Sequence, residues 1–397
     1  MSRLWRTWCV LVLFTTGTSL ITPLIPLYQE RLGFNDTVVT LFLGCYVITL
    51  VPSMLTLGQL SDQVGRKRVL YGAIAALALA QGVLLTEPPL GGLLGARALQ
   101  GLAMGAFAGT CTAFLVDAAP PGRRTFAAAL ASISIRLGLG LGPGLAGVLA
   151  EYAAQPLRLP FVVHLVALAV AAVLVVSLPE TVRPSPRRPL SLRLEVPPAE
   201  RAVFWRVLVP SGMIFGLFDG VALSLIPVFE VRTLGVTNYA LVGASGFLVL
   251  VSGAVSQLIV PRMAPARAIA IGLVGAALSS FGVVAGAPAG SAALVLASVA
   301  LTGGFCGLVL KGGVDLVTQI APPLDRGKVI SAYYVACWLG GFSVPLIAVG
   351  VLADLLGLTP ALAILSGAAT AATAWTWLVG LRSLDRLLPA HAARAPA

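Results

Sequence analysis

Apolar runs long enough to cross a bilayer follow one another along almost the whole 397-residue chain. A helix needs about 20 residues to cross the hydrocarbon core of a membrane. The runs between proline, glycine and charged positions predict twelve spans, at 7–28, 37–58, 69–86, 91–116, 126–150, 160–178, 204–229, 238–260, 268–287, 291–314, 329–353 and 359–381. A spanning segment must satisfy its backbone hydrogen bonds internally, so each run is expected to be a helix. The sequence therefore predicts an all-α polytopic membrane protein.

The composition excludes a water-soluble fold and a membrane β-barrel. Hydrophobic residues make up 58% of the chain and charged residues 10%, whereas soluble domains carry about 45–50% and about 25%. A barrel would show alternating segments of about ten residues. The five cysteines lie inside apolar runs without a Cys-x-x-Cys pair, and the two histidines, His164 and His391, are far apart. Neither a disulfide, a metal site nor a cofactor is expected.

The basic residues predict the orientation of the chain. If the N-terminus is cytoplasmic, 20 of the 26 Lys and Arg residues fall on the cytoplasmic side of the predicted spans. Because cytoplasmic loops carry an excess of Lys and Arg, both termini are expected in the cytoplasm, with the protein in the cell inner (plasma) membrane. The net charge of +11 is thus interpreted as topology and not as a nucleic-acid-binding surface. The first run is expected to be an uncleaved helix, since it lacks an A-x-A-like cleavage site.

An internal repeat at an offset of about 202 residues divides the chain. The segment Gly147-Val148-Leu149-Ala150-Glu151 matches Gly350-Val351-Leu352-Ala353-Asp354, and four other short matches follow the same order. Six spans per copy give both copies the same orientation, so an axis along the membrane normal relates them. We predict an N-terminal six-helix half at 1–178, a Pro- and Arg-rich cytoplasmic linker at 179–203, and a C-terminal six-helix half with a short cytoplasmic tail at 204–397.

The loop after the second predicted span carries a recognisable motif, Gly58-Gln59-Leu60-Ser61-Asp62-Gln63-Val64-Gly65-Arg66-Lys67. It resembles the G-x-L-[SA]-D-x-x-G-R-[RK] signature of the major facilitator superfamily. The resemblance implies two six-helix halves, secondary active transport, and a conformational latch formed by Gly58, Asp62, Gly65, Arg66 and Lys67, to which the family pattern adds Asp117. The alternative is a solvated basic turn that serves topology alone.

Two further motifs resemble the same superfamily. Arg97 to Gly101 is similar to its R-x-x-Q-G motif, which implies that Arg97 handles protons or couples conformations; the alternative is an arginine that reaches the outer interface. A glycine-rich stretch resembles G-x-x-x-G-P-x-x-G-G of the drug:proton antiporter branch, with Ala146 in place of one glycine. Glycines at this spacing also allow close helix packing without any antiporter role. The positions that carry this resemblance are Gly138, Gly142, Pro143 and Gly147.

Ionisable residues inside the predicted spans are candidate proton-coupling residues. Asp219 is the first candidate, because the loss of water favours the neutral form of a carboxyl group. A structural ion pair between Asp219 and Arg136 is the alternative. Lys311 and Asp315 stand one helical turn apart and are expected to pair locally, with Asp315 the next carboxyl group to test.

Two other expectations concern ionisable residues. Glu30 and Glu230 are expected to be solvated at the outer interface, and His164 is expected to be a hydrogen-bonded helix residue. Residues that could line a central substrate cavity are Gln100, Thr110, Asp219, Lys311, Tyr333 and Tyr334.

The sequence favours transport over catalysis. No G-x-x-x-x-G-K-[ST] phosphate loop occurs, and no nucleophile–base pair stands out. We expect a monomeric, proton-coupled antiporter that works by alternating access and exports small, largely apolar or cationic compounds, as in multidrug efflux. Its partners would be the small-molecule substrate, protons and membrane lipids, with no nucleic acid. The alternatives are a dedicated exporter of one sugar, siderophore or amino-acid derivative, a proton-coupled uptake symporter, and a non-transporting receptor.

Overall fold

A computed structural model describes residues 2–120, 122–182, 194, 196–198, 200–260, 262–322 and 326–382. The predicted linker arginines between 183 and 193, and the tail beyond 382 with His391, lie outside the described residues. Within the described part the chain forms thirteen helices and no strand. They are α1 (Arg3–Thr16), α2 (Ile25–Leu32), α3 (Asp36–Val64), α4 (Arg66–Leu85), α5 (Leu90–Asp117), α6 (Arg124–Tyr152), α7 (Leu159–Val176), α8 (Arg201–Arg232), α9 (Tyr239–Ile259), α10 (Pro265–Ala289), α11 (Ala292–Ile320), α12 (Arg326–Leu356) and α13 (Leu358–Leu381).

Eleven of these helices, α3 to α13, are long and apolar enough to cross a membrane. The remaining predicted span, 7–28, is wrong as a single helix: α1 ends at Thr16, a short 3-10 turn covers Thr22–Leu24, and α2 follows. Gly17 lowers helix propensity, and Pro23 and Pro26 cannot donate a backbone hydrogen bond. The pair α1–α2 therefore covers the first predicted span in two pieces.

Side chains from three other helices satisfy the carbonyl groups that this break releases. Gln81 Nε2 donates to Gly17 O at 2.9 Å, and it also lies 3.1 Å from His164 Nδ1. His164 Nε2 lies 3.0 Å from Leu13 O, so the expectation of a hydrogen-bonded histidine is confirmed. Arg97 Nη1 donates to Thr18 O at 2.7 Å. Non-helical backbone at membrane depth is tolerated where protein groups replace water in this way.

The helices α1–α7 and α8–α13 form two groups, whose most extensive contacts are those of α6 with α9 and of α3 with α12, while α8 also contacts α2 and α3. We call the end of the bundle where α1 begins the terminal face and the opposite end the distal face. The chain alternates between these faces, so α13 returns to the terminal face. The predicted domain limit at 178 falls just after the end of α7, whereas the limit at 204 lies three residues inside α8. The division into these domains stays a prediction.

The glycine-rich stretch packs α6 against both α1 and α9. A Cβ atom on Gly142 would lie 2.6 Å from Ser19 Oγ beside the end of α1, and one on Gly147 would lie 2.8 Å from Gly243 Cα on α9. Pro143 lies against Gly246 of α9. Ala146, the departure from the family pattern, is fully buried. These positions therefore bring three helix backbones close together, whatever further role they have.

This packing predicts a stability difference between two glycine substitutions. Gly142→Ala should lower the free energy of unfolding by about 1–3 kcal/mol, because the added methyl group meets atoms of α1 that must shift. Gly109→Ala, on α5, is the matched control: a Cβ atom there would have no neighbour within 4 Å, so the melting temperature should be unchanged or slightly raised. Thermal denaturation in detergent measures both, and equal melting temperatures would contradict the packing role.

Candidate functional site

An ion pair between the two helix groups lies at the centre of the site. Arg136 Nη1 on α6 is 3.1 Å from Asp219 Oδ2 on α8, and the two side chains are only 7% and 2% exposed. Both residues lie near the middle of long apolar helices, so each charge is far from the helix ends. The sequence analysis left two interpretations of Asp219 open, a proton-coupling residue or the partner of Arg136 in an ion pair. The structure brings these two residues together.

The hydrogen-bonding capacity of this pair is only partly used. Among the described residues, Arg136 Nε, Arg136 Nη2 and Asp219 Oδ1 have no hydrogen-bond partner. The Arg136 guanidinium group lies 5.4 Å from the centre of the Phe215 ring. A Cβ on Gly253 of α9 would stand 2.5 Å from Arg136 Nη2, so glycine at this position leaves room for the guanidinium group. A buried pair with unused donors and acceptors can exchange one partner for a proton or a ligand.

Aromatic residues of α12 lie beside α8 next to this pair. Trp338 packs edge-to-face on Phe215, with ring centres 6.4 Å apart. The close approach of the helices rests on two facing glycines: a Cβ on Gly341 would lie 2.6 Å from Gly216 Cα. Tyr333 and Tyr334 are on the same helix, and Tyr333 is fully buried, with its hydroxyl group 3.4 Å from Val309 O of α11.

Arg97 forms a second buried cationic centre in the first helix group. It is 4% exposed and donates to Thr18 O, to Gln100 Oε1 at 2.6 Å and to Phe42 O at 3.1 Å. Its guanidinium group also lies over the Tyr46 ring, 4.6 Å from the ring centre. In the described part of the chain no carboxylate pairs with Arg97, and Gln100 Nε2 has no partner. Carbonyl oxygens thus accept the hydrogen bonds of the buried Arg97 guanidinium group.

The other candidate residues do not join these two centres. Lys311 pairs with Asp315 on its own helix, as the spacing predicts. The Thr110 hydroxyl group donates to Ala106 O at 2.8 Å and is used within α5. Glu230 is 2% exposed, so the expectation that it is solvated like the exposed Glu30 is wrong. The end of α8 packs against α2 and α9, which removes Glu230 from water.

The predicted latch residues meet at the terminal face. Arg66 Nη2 is 3.1 Å from Asp117 Oδ2 and 3.6 Å from Asp62 Oδ1. Gly65 adopts a positive φ of 99°, which favours glycine and turns the chain from α3 into α4. A Cβ atom on Gly58 would have no neighbour within 4 Å among the described residues, so packing against them does not explain glycine there.

Sequence reasoning missed Glu180, which completes this cluster. Its Oε1 accepts from Arg66 N at 3.2 Å and its Oε2 accepts from Lys67 N at 3.0 Å, so Glu180 caps the start of α4. Lys67 Nζ in turn donates to Leu178 O at 2.7 Å, after the end of α7. The only signal in the sequence is an acidic residue directly after an apolar run.

The family profile described as Major Facilitator Superfamily matches residues 7–345 of the chain. The chain belongs to this superfamily. It is therefore a multi-pass membrane protein of a superfamily of transporters and not of an enzyme family, and the predicted fold class is confirmed.

Curated relatives within the superfamily match part of the chain. The Multi-drug resistance efflux pump PmrA homolog of Lactococcus lactis is 30% identical over 154 residues, which cover 38% of this chain and 38% of that protein. The Multidrug resistance protein MdtG of Proteus mirabilis is 31% identical over 160 residues, or 39% of this chain and 40% of that protein. The chain spans less than half the length of the curated relatives it matches.

Solved structures of other transporters share the fold. A peptide transporter POT in complex with sulfate has a TM-score of 0.80 at 14% identity, covering 98% of this chain and 95% of that chain. A bacterial homologue of the human lysosomal transporter Spinster, in an inward-facing and unoccupied conformation, has a TM-score of 0.76 at 14% identity, covering 97% of both chains. At these identities the likeness concerns the fold alone.

The central ion pair predicts a double-mutant result. Arg136→Gln or Asp219→Asn alone should lower the free energy of unfolding by about 3–5 kcal/mol, because each leaves one buried charge without its partner. The double variant removes both charges and should recover part of this loss. The melting temperatures of the native protein, the two single variants and the double variant form a double-mutant cycle. If the losses of stability of the single variants simply added up in the double variant, the two side chains would not interact.

The latch predicts unequal effects for its two carboxylates. Asp117→Asn should lower the melting temperature more than Asp62→Asn, because Asp117 is closer to Arg66 and less exposed than Asp62. An exposed pair four residues apart on a helix contributes about 0.3–0.5 kcal/mol. A larger loss of stability for Asp62→Asn would contradict the geometry at this face.

Proposed function

We propose that this transporter exports small, largely apolar or cationic compounds in exchange for protons, by alternating access between its two helix groups. The observation that carries the proposal is the buried Arg136–Asp219 pair, which joins one group to the other at 3.1 Å and has a free acceptor, Asp219 Oδ1. A charge pair at such a place can be switched by a single proton.

The chemistry follows from Asp219. A proton on its free oxygen neutralises the carboxylate, removes the attraction to Arg136 and weakens the central contact between the groups. Loss of the proton restores a carboxylate that binds either Arg136 or the positive charge of a substrate. Substrate and proton then compete for one group, which is the basis of exchange in opposite directions.

The surroundings of Asp219 support apolar and aromatic compounds as cargo. Phe215 and Trp338 offer ring faces beside the pair, and aromatic rings bind both apolar surfaces and cations. The similarity to a multi-drug resistance efflux pump homolog and to the multidrug resistance protein MdtG favours export, and so does the glycine motif of α6. The basic loops support an inner-membrane protein with both termini in the cytoplasm. That the protein works as a monomer surrounded by lipid is a further part of the proposal.

Proton flux in proteoliposomes tests this function. We expect lipophilic cationic dyes and aromatic antibiotics to trigger proton movement, read with a pH-sensitive dye inside the vesicles under an imposed pH gradient. Asp219→Asn should abolish substrate-triggered flux, since an amide cannot take up the proton. Asp315→Asn is the matched control, and it should keep the flux, because Asp315 pairs with Lys311 on its own helix and with no other cation among the described residues.

Two outcomes would contradict the proposal. A normal response of Asp219→Asn would move the proton to another group, and loss of flux in Asp315→Asn would make that carboxylate the next one to assign. Silence of the folded native protein towards dyes and antibiotics, together with flux driven by one sugar, siderophore or amino-acid derivative, would show a dedicated exporter.

A further inference from the structure

The last turn of α12 reaches across to the other helix group at the distal face. Asp354 Oδ1 accepts from the backbone N–H of Asp36 at 2.7 Å, and its Oδ2 accepts from the backbone N–H of Thr37 at 3.0 Å and also from the Thr37 hydroxyl group. Asp36 and Thr37 are the first two residues of α3. A carboxylate of the second group therefore caps a helix of the first.

The last turn of α6 makes the corresponding contact in the opposite direction. Glu151 Oε2 accepts from the backbone N–H of Tyr239 at 2.7 Å, and Tyr239 is the first residue of α9. A carboxylate of the first group therefore caps a helix of the second. We refer to the two carboxylates and the N–H groups they bind as the distal caps.

The internal repeat relates the two caps position by position. Residues 151 and 354 are 203 apart, and so are residues 36 and 239. One helical turn before each carboxylate stands a glycine that faces the carbonyl oxygen of the capped residue: a Cβ on Gly147 would lie 2.5 Å from Tyr239 O, and one on Gly350 would lie 3.0 Å from Asp36 O. Both halves thus contribute one acceptor and one capped helix.

The physical basis is the first turn of a helix, whose N–H groups have no partner within the helix and which carries a partial positive charge. A carboxylate at that point forms charge-assisted hydrogen bonds. In both caps the donor and the acceptor belong to different helix groups. Their bonds therefore exist only while the groups are in contact at the distal face.

We propose that Glu151 and Asp354 hold the distal face closed by this reciprocal capping, and so set the balance between the closed and open conformations of that face. Asp354 accepts three hydrogen bonds from α3, whereas Glu151 accepts one from α9. The carboxylate of Asp36, beside the Asp354 cap, also accepts a hydrogen bond of 2.6 Å from Arg232 Nη1 at the end of α8. The Asp354 cap is therefore the stronger of the two. This inference is independent of the cargo and of proton coupling.

Spin-label distances across the distal face test the proposal. Labels go on exposed Ala154→Cys, in the first group, and exposed Ala289→Cys, in the second, with the half-buried Cys9 and Cys45 replaced by serine. Asp354→Asn should raise the ratio of long to short distances about two- to fivefold, because the amide keeps one acceptor oxygen but removes the negative charge that faces the N-terminus of α3. Glu151→Gln should raise it less, and the double variant by about the product.

Glu87→Gln is the matched control. Glu87 lies at the same face and binds Arg31 and Arg158, all within the first group, so it should leave the distances between the groups unchanged. Size-exclusion profiles establish that every variant is folded. An unchanged distance distribution in the double variant would overturn the proposal, and so would an equal shift in Glu87→Gln, since the effect would then come from the charge of the face and not from the caps.

Discussion

The absence of water inside a bilayer is the constraint on which the rest of this structure depends. A backbone carbonyl or a charged group there must find its partner in the protein. The break between α1 and α2 shows how this is done: Gln81, Arg97 and His164, from α4, α5 and α7, supply the donors that water would supply elsewhere. The irregular segment is thereby tied to three neighbouring helices.

Three cations inside the spans meet the same constraint in three different ways. Arg97 is surrounded by carbonyl oxygens and an aromatic ring, Lys311 pairs within its own helix, and Arg136 binds a carboxylate of the other helix group. Only the last arrangement changes when the groups move apart. Arg136 is suited to coupling protonation to the movement of the two helix groups because its partner, Asp219, belongs to the other group. The burial of the charge alone would not give it this property.

Much of the architecture can be predicted from the sequence, because the length of an apolar run and the sign of its flanking charges are local properties. Residue spacing also predicts the Lys311–Asp315 pair, and the family pattern predicts the cluster of Arg66 with Asp117. The depth of Asp219 and Arg136 follows from their positions in the runs, but the direction in which each side chain points depends on how helices pack, so the pairing stayed open.

The residues that the sequence did not predict share a physical cause. Glu180, Gln81, Glu151 and Asp354 all bind backbone groups. Every residue carries such groups, so the sequence does not show which of them a side chain will bind. The helix break was missed because apolar residues flank it on both sides, so hydrophobicity does not reveal that the backbone turns. Glu230 was misplaced since its burial depends on how α8 packs against α2 and α9, which its own flanking residues do not reveal.

The broken first segment has a consequence for how the protein is made. The groups that complete its hydrogen bonds stand at positions 81, 97 and 164, and the last of them belongs to α7. While the chain is being synthesised, the carbonyl groups of Leu13, Gly17 and Thr18 lack their full set of partners until the first half has almost entirely left the ribosome. This segment enters the membrane before the helices that complete its hydrogen bonds, and it is thus among the last in its half to reach its final form.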